Sequence, residues 1–445
     1  MSALQVIQVI AILLFAVSVV KLVFVPLALW FEVRLRATPR RRARLKAGPR
    51  SGVRGLGEVH GHPLRQRTLR YLHGTMVSVI IPAYNEGVVL HNCVESVMRS
   101  HYPRIEVIIV NDGSTDDTAE VMAAIVERHP SVRAIHQENA GKGAALNRGI
   151  AEARGDVLLF VDADGLFTAR TIDWLLVGLS APGVGAVCGD DRPANPDRPL
   201  TQMLSVMSHV GTGLVRRALS LLHCLPIVSG NIGAFRASLV RELGGFREDT
   251  IGEDLELTWR VYAAGYRVVF QPRAIVYAES PSTLRGLWRQ RVRWSRGLLQ
   301  TTRIHRRLIG NPNHGVFGPF LALNTFAMVI APPSQMVVLL VLAGALLLDP
   351  QPAAPDVLAV LAWLGVFLSA TLVIFAIALN AAWRDLRHLW TLPFWPIYSM
   401  AMGLTMVAAL VHEVRGAPAR WNKLQRTGVV TDGVVAGMAR FEGAA

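Results

Sequence analysis

Asp162 and Asp164 stand one residue apart at the end of an unbroken apolar run, residues 157–161. A buried strand that stops on two carboxylates fixes negative charge at a sheet's carboxyl edge, where open α/β folds bind ligands. Hard oxygen donors there suit Mg2+ or Mn2+, ions that usually accompany phosphates. An isolated pair would more simply be a polar turn. A second set of acids, Glu253, Asp254 and Glu256, opens a helical stretch that starts near Thr250. Its plainer reading is charge placed against the helix dipole. The third feature is Gln290–Arg291–Val292–Arg293–Trp294. Its guanidiniums match the geometry of diphosphate oxygens, and its indole offers a face for a pyranose ring. Trp288, Arg289, Arg296, Arg303, Arg306 and Arg307 surround it, so it also reads as a basic amphipathic helix on a membrane surface.

The elements that must position these groups follow from the hydrophobic pattern. Residues 77–81 form an apolar run that stops at Pro82–Ala83–Tyr84–Asn85–Glu86, and helical spacing follows over 87–100. A second strand, 105–110, ends on Asn111–Asp112–Gly113–Ser114, with Ser114 or Thr115 placed to cap the next helix. A short strand over 133–136 leads to Asn139–Ala140–Gly141–Lys142–Gly143, a helix runs from Ala144, and residues 156–161 are the next strand. Strands alternating with helices predict a parallel, doubly wound sheet with function at the strand ends. Gly141–Lys142–Gly143 is too short for a phosphate loop, but lysine is scarce here: Lys21, Lys46, Lys142 and Lys423 are all there are. Asp112 for a base or ribose, Lys142 beside it and Asp162/Asp164 for a metal together describe a nucleotide-diphosphate pocket. Further on, Ser229–Gly230–Asn231–Ile232–Gly233 is a glycine-spaced loop that would let a ligand approach the backbone.

The 445 residues are 51% hydrophobic and 18% charged, and the apolar excess is concentrated in residues 3–31 and 316–413, where Pro332–Pro333 is expected to interrupt the block at 316–348. The first block lacks the short core and cleavage site of a secretory signal, which predicts a retained membrane anchor. Arg34, Arg36, Arg40, Arg41, Arg42, Arg44, Lys46, Arg50 and Arg54 follow it directly. That places much of the net charge of +14 in a cytosolic, lipid-facing flank rather than on a nucleic-acid surface, and no nucleic-acid-binding signature accompanies it. Cys93, Cys188 and Cys224 are odd in number and widely spaced, as expected of reduced core thiols.

Residues 77–86, Val110–Asn111–Asp112–Gly113–Ser114 and Val161–Asp162–Ala163–Asp164 together resemble the nucleotide-sugar half of family-2 glycosyltransferases. The resemblance implies an α/β, GT-A-type Rossmann-like domain between an N-terminal transmembrane helix and a C-terminal transmembrane helical region. It implies that Pro82, Ala83, Tyr84, Glu86, Asp112 and Asp162 hold the uridine part of a UDP-sugar, with Lys142 near the base. Asp164, with Asp162, would hold Mg2+ or Mn2+, and Asp191 would lie near the donor sugar. Gly252–Glu253–Asp254 matches the place of the family's catalytic base, which falls to Asp254 with Glu253 beside it. The Gln-x-x-Arg-Trp pattern is similar to that of processive synthases of cellulose, chitin, hyaluronan and poly-N-acetylglucosamine. By that likeness Gln290, Arg291, Arg293 and Trp294 meet the diphosphate and the growing glycan acceptor.

The implied organisation is a transmembrane helix over 1–31, a basic cytosolic linker over 32–75 and a GT-A domain over 76–275. An amphipathic interfacial segment over 276–315, transmembrane helices over 316–413 and a basic tail over 414–445 complete it. The implied activity is inverting, processive polymerisation of UDP-N-acetylglucosamine or UDP-glucose into a β-linked polysaccharide at the plasma membrane. The catalytic domain would be cytosolic, with room for translocation and accessory secretion proteins. A non-processive transferase acting on a membrane lipid shares every donor motif, and an inactive nucleotide-sugar sensor is the third reading. One count does not close: three crossings after the catalytic domain put Arg415, Arg420, Lys423 and Arg426 outside, against the positive-inside rule. A cytosolic tail is favoured, because Trp421–Asn422–Lys423–Leu424–Gln425–Arg426–Thr427–Gly428 resembles the basic tail of poly-N-acetylglucosamine-type synthases.

Overall fold

The computed structural model describes residues 74–337, 355–417 and 426–431, together with residues 19, 21–37, 58–59, 62–63, 71–72 and 340. Most of the expected anchor (1–31) and basic linker (32–75), and the tail at 418–425 and 432–445, lie outside the described residues.

An eight-stranded sheet forms the centre. Its strands are β1 (Val77–Ala83), β2 (Ile105–Asp112), β3 (Val132–Gln137), β4 (Val157–Phe160), β5 (Leu166–Phe167), β6 (Val184–Pro193), β7 (Gly233–Arg236) and β8 (Arg267–Ala278). They lie in the order β3-β2-β1-β4-β7-β6-β8-β5. The first four pair in parallel, as the strand–helix alternation predicts. The sheet then turns mixed, because β7 runs antiparallel to both β4 and β6, and β5 antiparallel to β8. Side chains alternate across it: Val77, Val79 and Ile81 enter one core, and Ile80 the other. Helices α1 (Gly87–Met98), α2 (Lys142–Glu152), α3 (Thr171–Leu179) and α4 (Glu253–Ala263) cover the two faces. The first core takes α1 and α3, and the second takes α2 and α4. Burial on both faces is why the parallel strands read as continuous apolar runs. Cys93, Cys188 and Cys224 are buried and unpaired, in keeping with the expected thiols.

Two proline expectations are corrected. The first strand does not stop at Pro82 but runs to Ala83 in register with β2. Ile80 turns its carbonyl toward β4, where it accepts from Val161 N, and pairing on that side has ended before Pro82 is reached. The missing proline N–H therefore loses no ladder bond. Likewise Pro332–Pro333 does not interrupt residues 316–348 at that point: residues 317–337 are one helix. A π-turn over Phe326–Ile330 sits just ahead and loosens the ladder where prolines remove donors.

A basic helix, α5 (Leu284–Ile304), follows β8 and leads to the apolar part of the chain. Among the described residues, two helices are long and apolar enough to cross a membrane, Phe317–Val337 and Ile397–Val414. A third apolar helix, α6 (Pro355–Leu379), lies between them, and a 3-10 helix (Trp383–Phe394) leads into α7 (Trp395–Val414). Residues Leu372, Val373, Ala376 and Ile377 of α6 pack on Val206, Val210 and Leu214 of the α/β half. Beneath them is a polar knot. Arg217 donates to Asn380 Oδ1 (2.7 Å) and to Glu32 (2.8 Å), and His209 bonds Asp385 (2.7 Å). Glu32 lies in the helix Phe24–Ala37, which runs straight across the expected boundary at residue 31.

Candidate active site

Neighbouring loops fix one another at the carboxyl edge of β1 and β2. Asn85 holds a positive φ of 55°, uncommon outside glycine, and its side chain explains the tolerance. Asn85 Oδ1 accepts from Thr115 N (2.7 Å) and Asp116 N (3.3 Å), while Asn85 N donates to Ser114 Oγ (2.9 Å). Ser114 and Thr115 therefore clasp the first loop instead of capping the next helix, whose N-cap is Asp117. Asp112 is buried, and its carboxylate accepts from Gln137 Nε2 (2.8 Å), Ala140 N (2.9 Å) and Gly141 N (2.9 Å). Those bonds set the turn from which Lys142 starts α2.

Lys142 is the hub of the first charged cluster. Its Nζ lies 2.8 Å from Asp162 Oδ1 and 3.2 Å from Glu253 Oε1, joining the end of β4 to the start of α4. Burial by itself would lower the lysine's pKa. Asp162, Glu253 and Asp254 outweigh burial and hold the ammonium charged, above its ordinary value. Asp254 accepts from Gly230 N (3.0 Å) and Leu255 N (2.7 Å), so the glycine loop at 229–233 meets this carboxylate directly. Burial, then the neighbouring charge of Glu253, push its pKa up to about 6, against the opposing pull of Lys142 and the two N–H donors. A carboxylate of that kind is basic enough to take a proton near neutrality.

Asp164 belongs to a second cluster. It is buried, its Oδ2 accepts from Glu279 N (2.9 Å), and Arg426 reaches both of its oxygens (3.0 and 2.9 Å). Arg426 Nε lies 3.7 Å from Glu86 Oε2. The site thus accommodates positive charge. Among the described residues no three His, Cys, Asp or Glu side chains gather as a metal cage. One carboxylate completed by substrate oxygens is the manner in which Mg2+ and Mn2+ bind with phosphates, so the donor set fits such an ion. Asp162 faces Lys142, so the two aspartates lie in different charged clusters.

The remaining expected residues are more dispersed. Pro82 and Ala83 end β1, with Tyr84 beyond them. Asp191 pairs with Arg216, which also donates to Gly189 O (3.1 Å). Gln290, Arg291, Arg293 and Trp294 lie on α5. Arg291 stacks on the Trp294 ring at 4.2 Å, and Trp294 is 50% exposed. Gln290 Oε1 and Arg291 Nε are buried without hydrogen-bond partners. This helix is held against the start of α4 by backbone contact: a Cβ on Gly252 would lie 2.9 Å from Gly297 Cα. Gln300 Oε1 accepts from Thr250 Oγ1 and Ile251 N (both 3.1 Å), and Gln300 Nε2 donates to Glu413 of α7 (3.1 Å). Gly252→Ala is therefore expected to cost about 1–3 kcal/mol and lower Tm, because backbone must shift. Gly211→Ala, where a Cβ meets open space, should leave Tm near that of the parent in the same melt.

The domain boundary expected at residue 275 falls within β8, which continues to Ala278 and carries the chain to Glu279 beside Asp164. Sequence reasoning noticed Arg426 only as part of a basic tail and did not find Glu279. Arg426 stands 262 positions from Asp164, and no local periodicity marks such a pairing.

The profile of the family described as glycosyltransferase like family 2 matches residues 73–297. The probable glycosyltransferase YdaM of Bacillus subtilis (strain 168) is 35% identical over 229 residues, 50% of this chain and 54% of that protein. The poly-beta-1,6-N-acetyl-D-glucosamine synthase of Staphylococcus aureus (strain COL) is 32% identical over 222 residues, again 50% and 54%. The chain spans about half the length of these curated relatives. Among solved structures, the mannosyltransferase PcManGT of Pyrobaculum calidifontis, in complex with GDP-Man and Mn2+, aligns with a TM-score of 0.58 at 22% identity. That alignment covers 92% of this chain and 99% of the other, and shows a shared GT-A-like fold.

Proposed function

This chain belongs to glycosyltransferase-like family 2, and from that premise we propose an inverting, processive transfer from a UDP-sugar to the end of a β-linked glycan. UDP-N-acetylglucosamine ranks ahead of UDP-glucose as the donor. The observation that carries the reading is Lys142, which ties donor-side Asp162 to Glu253 beside Asp254. That contact between the end of β4 and the start of α4 supports a donor edge beside the base.

On this reading Asp254 takes the proton of the acceptor's terminal hydroxyl. The freed oxygen forms a new bond to C1 of the donor sugar as the bond from C1 to the UDP oxygen breaks, inverting that carbon. Tyr84, Glu86, Asp112 and Asp162 serve the uridine side, Asp112 by holding the Gly141–Lys142 turn. Asp164 would hold a divalent cation, Mg2+ or Mn2+, which when bound neutralises charge on the departing diphosphate. Arg293 and the buried, unpartnered polar atoms of Gln290 and Arg291 support a diphosphate and acceptor subsite. The exposed ring of Trp294 supports stacking of a sugar. Asp191, balanced by Arg216, lies on the donor-sugar side. The two long apolar helices, whose exposed residues include Leu323, Phe326 and Leu404, support a membrane enzyme with its catalytic half in the cytosol. Accessory secretion proteins would complete export.

The full chain, purified in detergent, should be incubated with UDP-N-acetylglucosamine or UDP-glucose and Mg2+ or Mn2+, and the product sized. A polymer formed with UDP release is the expected result. A lipid carrying a single sugar would replace this with the non-processive reading, and no UDP release with any donor would refute both.

A further inference from the structure

The six described residues of the tail, 426–431, lie across the donor edge as a continuous strap. Arg426 engages both oxygens of Asp164 (3.0 and 2.9 Å) and is ion-paired with Glu86. Thr427 N donates to Glu279 Oε1 (2.8 Å), and Thr427 Oγ1 bonds the same oxygen. Gly428 takes a φ of 69° and passes so close to Val88 that a Cβ would lie 3.0 Å from Val88 Cγ1. Val430 packs on an apolar cluster of Leu166, Ala194, Ile275 and Tyr277, and Thr431 N donates to Ala194 O (3.1 Å) at the end of β6. Backbone bonds, a tight turn and apolar packing all act on this segment, so Arg426 is placed by its own chain.

A guanidinium forked on a carboxylate takes one lone pair of each oxygen, Glu279 N takes another on Oδ2, and the fixed charge repels a second cation at contact distance. A divalent ion and Arg426 therefore compete for Asp164. We propose that residues 426–431 form a self-inhibitory strap in which Arg426 serves as the resident cation of Asp164. A metal arriving alone must displace it for the gain of one carboxylate. A metal arriving with a nucleotide diphosphate brings further ligands, and so lifts the strap where the bare ion does not. The strap makes occupancy by metal conditional on nucleotide. This deepens the reading of Asp164 as the metal carboxylate and rests on it.

The test is direct binding of Mn2+ to the full chain in detergent without nucleotide, read from the electron paramagnetic resonance signal of the free ion. Arg426→Ala should bind Mn2+ about tenfold more tightly than the parent, and Arg426→Lys, which keeps the charge but not the fork, should fall between them. Val430→Asp, remote from the carboxylate, loosens the seat with Arg426 intact and should also tighten Mn2+ binding, which guards against a misfolded Arg426 variant. Asp164→Asn should remove this binding. Unchanged or weaker Mn2+ binding in both Arg426→Ala and Val430→Asp, with binding still lost in Asp164→Asn, overturns the strap alone. Undiminished binding in Asp164→Asn overturns the metal assignment and the strap together.

Discussion

Asp254→Asn is expected to lower the rate of sugar transfer by about 10³-fold or more while nucleotide binding stays close to that of the parent. The amide cannot accept a proton at any working pH, and the carboxylate is the group that the glycine loop presents at Gly230 N. Asparagine has one acceptor oxygen where two N–H groups now land, so one hydrogen bond is lost. That costs about 1 kcal/mol, too little to unfold the domain. Single-turnover transfer and calorimetric UDP binding on the same preparation separate chemistry from binding, and undiminished turnover would remove Asp254 from the mechanism. The parent should also show an acid limb. With the carboxyl pushed up to about 6, the base is protonated and inactive below that pH, and the rate rises through it to a plateau near neutrality.

Lys142→Met should have the second largest effect, and on two readouts. The ammonium offsets Asp162, Glu253 and Asp254 in a space where water is scarce. Removing one partner of a buried pair leaves uncompensated charge, at about 3 kcal/mol, seen as a lower Tm. The second effect is on the base. Lys142 pulls the Asp254 pKa down, so its loss must move the acid limb to higher pH. Lys142→Arg keeps the charge and should keep the limb close to its original position. A Lys142→Met enzyme with parental Tm and an unmoved limb would show that the contact is incidental.

The parts of this fold written in local pattern are legible in the sequence itself. Apolar runs at residues 77–81 and 105–110, each closed by polar residues, locate the parallel half of the sheet and its ligand edge. The mixed half is not legible in that way. β5 has two residues and β7 four, too few for a period to show, and their partners are set by contacts distant in sequence. Prolines mislead in both places where a local rule meets a tertiary exception, at Pro82 and at Pro332–Pro333. Of the candidate site, the residue types are readable and their company is not. Nothing near Lys142 in the chain reveals that it meets Glu253. Nothing near Asp164 reveals Arg426.

The docking of the tail also fixes a parity. Arg426 touches Asp164, so residues 315 and 426 share one aqueous side, and the chain between them traverses any bilayer an even number of times. Asp385, in the 3-10 helix, is hydrogen-bonded to Ser205 and His209 and so shares that side. If 317–337 and α6 enter a bilayer, they must do so as an out-and-back pair. Both ends of α7 return to the catalytic face, Trp395 in the apolar cluster with Val206 and Glu413 on Arg296 (2.7 Å). That 20-residue helix, about 30 Å long, is therefore tied to the α/β half near both of its ends. Were only 317–337 and α6 to enter a bilayer, Arg384, Arg387, Arg415 and Arg426 would all face one compartment, and the charge imbalance that a count of three crossings created would disappear.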